Sequence, residues 1–595
     1  MSSKQSPSKI EMGQEQPQPT MKQSGPRPLS RLLLAAGAAL VLVAGLHSCS
    51  HNSRGHPEQH HPHHKTSNYA HSDRLQPMCP QLPALTPSDR LQPLLDSIEQ
   101  APGYTDAVLE RLSNAVKIQT VSYDNMTNVP PTPGNDPAHA PFLAFHAHLR
   151  TAFPLVHARM DLRVINEYSL LYTWKGSDEA AAPMVLMAHI DVVPVLPETV
   201  NQWTHEPFSG LIDKKNGLVW GRGSSDTKST LLGTLEAAER LLGAGFTPKS
   251  DVYFAFGHDE EISGYQGARK IAEYMVKELG LTGKIGLLID EGTSFDEFEG
   301  VPMANVAVAE KGYVDVSVTV ETKGGHSSVP PKHTGIGLTA LLVSALEAHP
   351  YPVSIPDSNP ILGLVHCYAE HSPKPKKFFK WAVNHLPESR SKLAEKVASI
   401  SPTFEALLGT TQATDIIFGG LKVNALPEKV TTVINHRIAV DSSLAEVQAH
   451  LTSILKPVAI KNGLDFVIHD FISENVGILL SPDSLGTVTV RTNSGVGLEP
   501  SPMSPSVGSG ERAWNVLEGS IRHVYEAAYD NLIVTPSMMA GNTDTRHYWN
   551  LTKNIYRFGP GRGANVHTVN EYVSIDGYLD AIKFYEALIR NWNSE

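Results

Sequence analysis

The chain has 595 residues, too many for one ordinary core, so two domains with flanking segments are expected. Its formal charge of −12 offers no basic field to a phosphate backbone, which argues against nucleic acid as a partner. The three cysteines, Cys49, Cys79 and Cys367, form no close pair, so neither a disulfide scaffold nor a thiolate metal site is expected, and a metal must be held by His, Asp and Glu.

At the amino terminus, Lys4, Lys9, Lys22, Arg27 and Arg31 precede an uncharged apolar run from Leu32 to Leu46. The run is short of the roughly 20 residues that span a bilayer, so a cleaved signal peptide and a signal anchor both fit it. A long hydrophilic lead and no small-x-small cleavage site favour an anchor at 32–48. Residues 1–31 would then be a cytoplasmic tail and the body would be lumenal. Sequons at Asn125 and Asn550 agree with that placement. Residues 49–100, rich in His, Pro, Ser and Gln, read as a stalk; its His56, His60, His61, His63 and His64 are taken as low-complexity sequence.

Beyond the stalk, apolar β-rich runs alternate with helical patterns. A strand at Val185 to His189, a helix from Ser229 to Ala244, a strand at Val252 to Gly257 and a helix from Gly264 to Gly280 predict a mainly parallel α/β sheet. This first catalytic part covers 101–312. From Val314 the sequence Val-Asp-Val-Ser-Val-Thr-Val alternates as a half-exposed strand does, and a helix follows from Gly335 to Glu347. Alternation resumes from Val430 to Val440, ahead of a helix from Ser443 to Leu455. Residues 313–480 are therefore predicted as an inserted α+β domain, elaborated by helices between Ser372 and Ser401. The catalytic domain resumes over 481–595.

Four separated segments each place His, Asp or Glu at the end of an apolar strand, where ligands collect in open α/β sheets. In Met187-Ala-His-Ile-Asp, His189 and Asp191 are two apart and share a strand face, so the carboxylate can brace the imidazole. Trp220-Gly-Arg-Gly-Ser-Ser-Asp presents Asp226 on a glycine-rich turn, and its two oxygens can bridge two cations. In Phe256-Gly-His-Asp-Glu-Glu, the neighbours Glu260 and Glu261 point differently, so one can ligate while the other acts as a base. Leu287-Leu-Ile-Asp-Glu-Gly offers Asp290 or Glu291, and the distant Asn565-Val-His offers His567. Two histidines with three carboxylates make a plausible zinc pair.

In this order the segments resemble the motif set of the dizinc aminopeptidase-like hydrolases, the aminoacylase/carboxypeptidase family that includes carboxypeptidase S, aminoacylase and carnosinase. The resemblance runs from about Asp106 to the carboxyl terminus and is strongest to the carboxypeptidase S branch. It implies an α/β catalytic domain with an inserted, ferredoxin-like α+β lid, and two Zn2+ per chain. His189 and Asp290 would hold one zinc, with Asp290 preferred to Glu291, and Glu261 and His567 would hold the other, with Asp226 bridging. Asp191 would orient His189, and Glu260 would be the general base. In Lys323-Gly-Gly-His, His326 matches a residue that reaches the substrate carbonyl, in dimeric relatives from the partner subunit. Asn424, Arg437 and Arg546 would bind substrate, an arginine fork suiting its carboxylate. The implied activity is hydrolysis of the C-terminal amide bond of small Gly-Xaa peptides. An N-acyl amino acid hydrolase is the alternative, and an inactive binding homologue the remote one. A homodimer and a vacuolar single-pass membrane protein with a cytoplasmic amino terminus complete the expectation.

Overall fold

Strands Met184–His189 and Val252–Gly257 are buried at every residue, the pattern of parallel strands covered on both faces. In the computed structural model, which describes residues 78–126, 136–473, 483–493, 495 and 497–594, they lie side by side at the middle of a mixed sheet. The strand order is Asp161–Ile165, Ser169–Trp174, Val252–Gly257, Met184–His189, Leu287–Thr293, Ile555–Phe558, Val301–Glu310, Ile533–Met539, with Phe295–Phe298 pairing onto Val301–Glu310. Val252–Gly257, Met184–His189, Leu287–Thr293 and Ile555–Phe558 run parallel, so their carboxyl ends open on one edge. The two outermost amino-terminal strands are antiparallel.

Alternate residues serve opposite faces of this sheet. Leu186, Phe254 and Ile289 join the core beneath helices Lys228–Gly243 and Ile575–Trp592. Val185, Ala255 and Leu288 pack with Ile271 and Met275 of helix Ala268–Lys277. The fold expected from the sequence is therefore present, with helix ends shifted by a few residues.

The lid is a five-stranded sheet in the order Thr411–Gly419, Lys429–Ile438, Gly312–Thr322, Gly486–Thr492, Asp465–Ile468. Val314, Val316, Val318 and Val320 face helices Gly335–Glu347 and Leu444–Lys461, meeting Leu338, Leu342, Leu451 and Leu455. The latter helix starts where Ser443 accepts from the Glu446 N–H. Two expectations change here. Ser317 and Thr319, expected to be solvated, are 3% and 8% exposed, because their strand is central in the sheet. Strand Gly486–Thr492 carries the lid past the expected boundary at 480.

The elaboration consists of helices Pro360–His371, Lys377–Val383, Arg390–Ala398 and Pro402–Leu407. Although its sequence lies inside the insert, it packs on the catalytic sheet, where Leu364 and Val365 meet Met303, Ile533 and Met538. Strand Ile533–Met539 ends the sheet, and its Ile533 and Met538 pack against these helices. Cys367, in the first of these helices, forms a disulfide with Cys79, 288 residues away. The expectation of no disulfide framework thus missed one long-range bridge. The end of the expected stalk also belongs to the body: Leu85 N–H donates to Gly519 O at 2.9 Å, and residues Gln92–Glu99 form a helix.

The expected membrane anchor is corrected. Among the described residues no helix is long and apolar enough to cross a membrane, and the single-pass placement and the membrane partner are withdrawn with it. The apolar run at 32–46 and the histidine cluster at 56–64 lie outside the described residues.

Candidate active site

The carboxyl edge of the parallel strands gathers most of the predicted ligands. His189 closes its strand, and its Nε2 lies 3.0 Å from Asp226 Oδ1 and 3.2 Å from Glu291 Oε1. His567 arrives from the loop between the short strands Gly563–Ala564 and Tyr572–Ser574; its Nε2 is 2.9 Å from Asp226 Oδ2 and 3.0 Å from Glu261 Oε2. Asp226 thus stands between two imidazoles, one on each oxygen. His189, Glu260 and Glu291 form one group of convergent donor atoms, and His189, Asp226 and Glu261 another. A cavity of about 360 Å³ opens over them, lined by Asp226, Glu260, Glu291 and His567 among others.

The donor set fits zinc, with imidazole nitrogens and carboxylate oxygens and no thiolate. Its electrostatics fit cations as well. Burial pushes Glu261 up to about 7, against the His567 hydrogen bond that favours its charged form. Burial raises Glu260 and Glu291 in the same sense. Burial opposes charge on Asp226 too, but hydrogen bonds from His189 and His567 outweigh it and hold Asp226 below the usual carboxylate range. Hydrogen bonds to Asp226 and then Glu261 push His567 up to about 10. Carboxylates crowded in this way are neutralised by protons or by cations.

Asp290 departs from the expectation. Its carboxylate is 2% exposed, Oδ1 accepts from the Glu291 N–H at 2.9 Å, Oδ2 has no partner, and it does not line the cavity. Burial, then the neighbouring Glu291, pushes it up to about 8. The reason is strand parity: Asp290 shares the face of Leu288, toward helix Ala268–Lys277, while Glu291 takes the face of Ile289. Glu291 therefore replaces Asp290 beside His189.

Asp191 is fully buried and does more than the sequence suggests. His189 Nδ1 lies 2.9 Å from the Asp191 backbone carbonyl and 3.4 Å from its Oδ1. The carboxylate accepts the backbone N–H of Glu260 at 3.0 Å, that of Glu261 at 3.1 Å, and the Ser122 hydroxyl at 2.7 Å.

Two further residues were missed. Glu571, fully buried, accepts from the N–H groups of Gly223, Ser225 and Asp226 and from Arg222 Nη1 at 2.6 Å, which fixes the turn carrying Asp226. The Asp226–Thr227 peptide in that turn is cis. Lys228, also fully buried, donates to Ala115 O and Ile118 O behind it. The sequence signal for Glu571 is an acid four residues beyond His567, and nothing local ties it to a turn this distant.

The proposed substrate residues divide. Arg437 Nη1 donates to Asn542 Oδ1 at 3.3 Å, and Asn542 lines the cavity. Burial, with Arg546 among the nearby charges, lowers the pKa of Arg437. Arg546 Nε donates to Thr543 O, and among the described residues neither arginine has a carboxylate ion-pair partner. His326 and Asn424 are not brought to the cavity: they lie exposed at a two-stranded pairing of distant segments, where His326 pairs with Ala425.

Residues 185–591 match peptidase family M20/M25/M40. The chain is 40% identical over 539 residues to carboxypeptidase S of Saccharomyces cerevisiae, covering 87% of this chain and 89% of that one. It is 32% identical over 500 residues to the N-fatty-acyl-amino acid synthase/hydrolase PM20D1 of Bos taurus, covering 82% and 88%. Two solved structures share the fold. Human carnosine dipeptidase 1 superposes with a TM-score of 0.56 at 13% identity, over 86% of this chain and 100% of that one. The M20 family metallo-carboxypeptidase Sso-CP2 of Sulfolobus solfataricus has a TM-score of 0.53 at 18% identity, over 82% and 99%. A match that begins in the strand carrying His189 and ends in the last helix, with such identity over most of a relative's length, places the chain in peptidase family M20/M25/M40, as a metal-dependent hydrolase of peptide bonds.

Proposed function

We propose that the chain is a dizinc carboxypeptidase that removes the C-terminal residue of small peptides, Gly-Xaa dipeptide units among them. The observation that supports this reading most is Asp226 between His189 and His567, with Glu291 beside the first histidine and Glu261 beside the second. His189 and Glu291 would hold one zinc, Glu261 and His567 the other, with Asp226 bridging. Zinc bound there supplies Lewis acidity, making water more acidic and polarising the amide carbonyl. Glu260 takes the proton of the attacking water and returns it to the departing amine, a task suited to a carboxylate whose proton affinity is raised. Arg437 and Arg546, free of carboxylate partners among the described residues, grip the terminal carboxylate and so confine cleavage to the last residue.

His326 and Asn424 act from a second copy of the chain in this reading. Its support is that both are exposed, and that the lid's edge strand Thr411–Gly419 presents Ile416, Ile417 and Phe418 to solvent, each more than half exposed. Mixing inactive His326→Ala with inactive Glu260→Gln protein tests this: activity should reappear on mixing, and a persistently silent mixture rejects the shared site.

A second reading, an N-acyl amino acid hydrolase, is favoured by the similarity to the N-fatty-acyl-amino acid enzyme, since the same arginine pair serves any substrate ending in an amino acid carboxylate. Rates on benzyloxycarbonyl-glycyl-leucine against an N-fatty-acyl leucine decide between them. The carboxypeptidase reading expects the blocked dipeptide to be faster, and the reverse order overturns it.

A further inference from the structure

We propose that a second cavity, joined to the catalytic one, receives the side chain of the substrate's C-terminal residue and selects large apolar side chains there. The inference rests on the carboxypeptidase reading and adds its substrate class.

This cavity, of about 310 Å³, shares Gly292 and Met539 with the catalytic cavity, so these two residues form the doorway between them. Its walls combine large apolar side chains with the small hydroxyl residues Thr293, Ser401, Thr403 and Ser537. Leu364, Leu407 and Met538 are buried, while Phe404 and Met539 keep part of their surface free. Leu364, Phe404 and Leu407 come from the helices that pack on the catalytic sheet, so an insertion in sequence becomes a wall of the site. Gly292 keeps the doorway open: it has a φ of +150°, and a Cβ there would meet Met539 Sδ at 2.8 Å and Arg557 Cβ at 2.5 Å.

The position of the cavity decides which end of the substrate it serves. Gly541 lines it, and the next residue, Asn542, lines the catalytic cavity and accepts from Arg437. The carboxylate anchor and the side cavity therefore adjoin along one stretch of chain. The residue that carries the terminal carboxylate is the one whose side chain reaches the cavity. The polar members of the lining argue against an acidic occupant: Asp296 is exposed at the rim, and Asn305 Oδ1 is a buried acceptor with no partner. Burying a Leu or Phe side chain instead of a methyl is worth about 10- to 100-fold in kcat/KM.

The test uses the zinc-loaded full chain and two substrate series. In the first, benzyloxycarbonyl-glycine is joined to Ala, Leu, Phe or Glu; in the second, leucine carries acetyl, octanoyl or benzyloxycarbonyl-glycyl groups. Wild type should prefer Leu and Phe to Ala by about 10-fold or more and should cleave Glu poorly. Leu407→Trp, which fills the cavity, should abolish the Leu and Phe preference while Ala is still cleaved. Phe404→Ala, a milder change at a half-buried residue, should reduce the preference and leave Ala unchanged. Unchanged ratios in both variants, or a shift confined to the acyl series, overturn the proposal while leaving the carboxypeptidase reading intact. A wild type that binds zinc but cleaves no member of either series defeats both.

Discussion

The backbone N–H of Glu260 donates to Asp191 Oδ1 at 3.0 Å. The residue expected to brace His189 therefore also anchors the segment that carries Glu260, the base in the proposed mechanism. Asp191→Asn keeps the volume but replaces one acceptor oxygen by a donor that faces N–H groups. It should lower kcat by about 10- to 100-fold and weaken metal retention, since both His189 and the glutamate loop are released. Kinetics and metal analysis of the purified variant check this, and unaltered kcat would mean that the anchor is dispensable.

Glu260 and Glu261 are neighbours with different neighbours of their own. Glu261 lies against His567, whereas Glu260 lines the cavity. Glu260→Gln should keep its metal while kcat falls by about 100-fold or more, with the Michaelis constant little changed. Glu261→Gln should lose metal together with rate. The opposite pattern would exchange the two roles.

Strand parity makes a similar division between Asp290 and Glu291. Wild type should hold close to two zinc per chain, a proposal that metal analysis tests directly. Glu291→Gln and His567→Ala should each lower that content and the activity with it. Asp290→Asn should retain the metal, because this carboxyl lies away from the cavity lining and its Oδ1 only accepts from the Glu291 N–H, a bond that an amide oxygen can also accept. Metal loss in Asp290→Asn with full retention in Glu291→Gln would restore the assignment made from the sequence.

His436, wholly buried on a lid strand, gives the fold an acid sensitivity that is separate from the metal centre. Burial, helped by His450, pushes it down to about 4, from an ordinary value of 6.5. The unfolded chain thus binds the proton more readily, so this contribution is whole above pH 6.5 and is lost as pH falls through about 4. The full loss amounts to about 3 kcal/mol. Urea unfolding at pH 7 and pH 5 should show the decline, and His436→Phe should flatten it; an equal decline in the variant would assign the effect elsewhere.

What was legible in the sequence follows from what is local. His189 could be placed because an apolar strand ends on it, and the lid because Val314 to Val320 alternate beside a helix capped by Ser443. The ligands of the site were readable as types, since only His, Asp and Glu remained. Three things were not readable. The choice between Asp290 and Glu291 depends on which face of a strand turns to the cavity. The turn bearing Asp226 depends on Glu571, which is 349 residues from Arg222, its ion-pair partner. The helices from Pro360 to Leu407 show their own apolar faces but not which sheet those faces will cover.

The arrangement of the ligands along the chain also bears on how the enzyme is made. His189, Asp226, Glu261 and Glu291 all precede the lid, whereas His567 follows it, 306 residues after Glu261. A growing chain therefore finishes the whole lid while the proposed metal centre still lacks one imidazole. Translation must run almost to the end before the centre can close, so a ribosome that stops early releases a protein with a formed lid and an incomplete site.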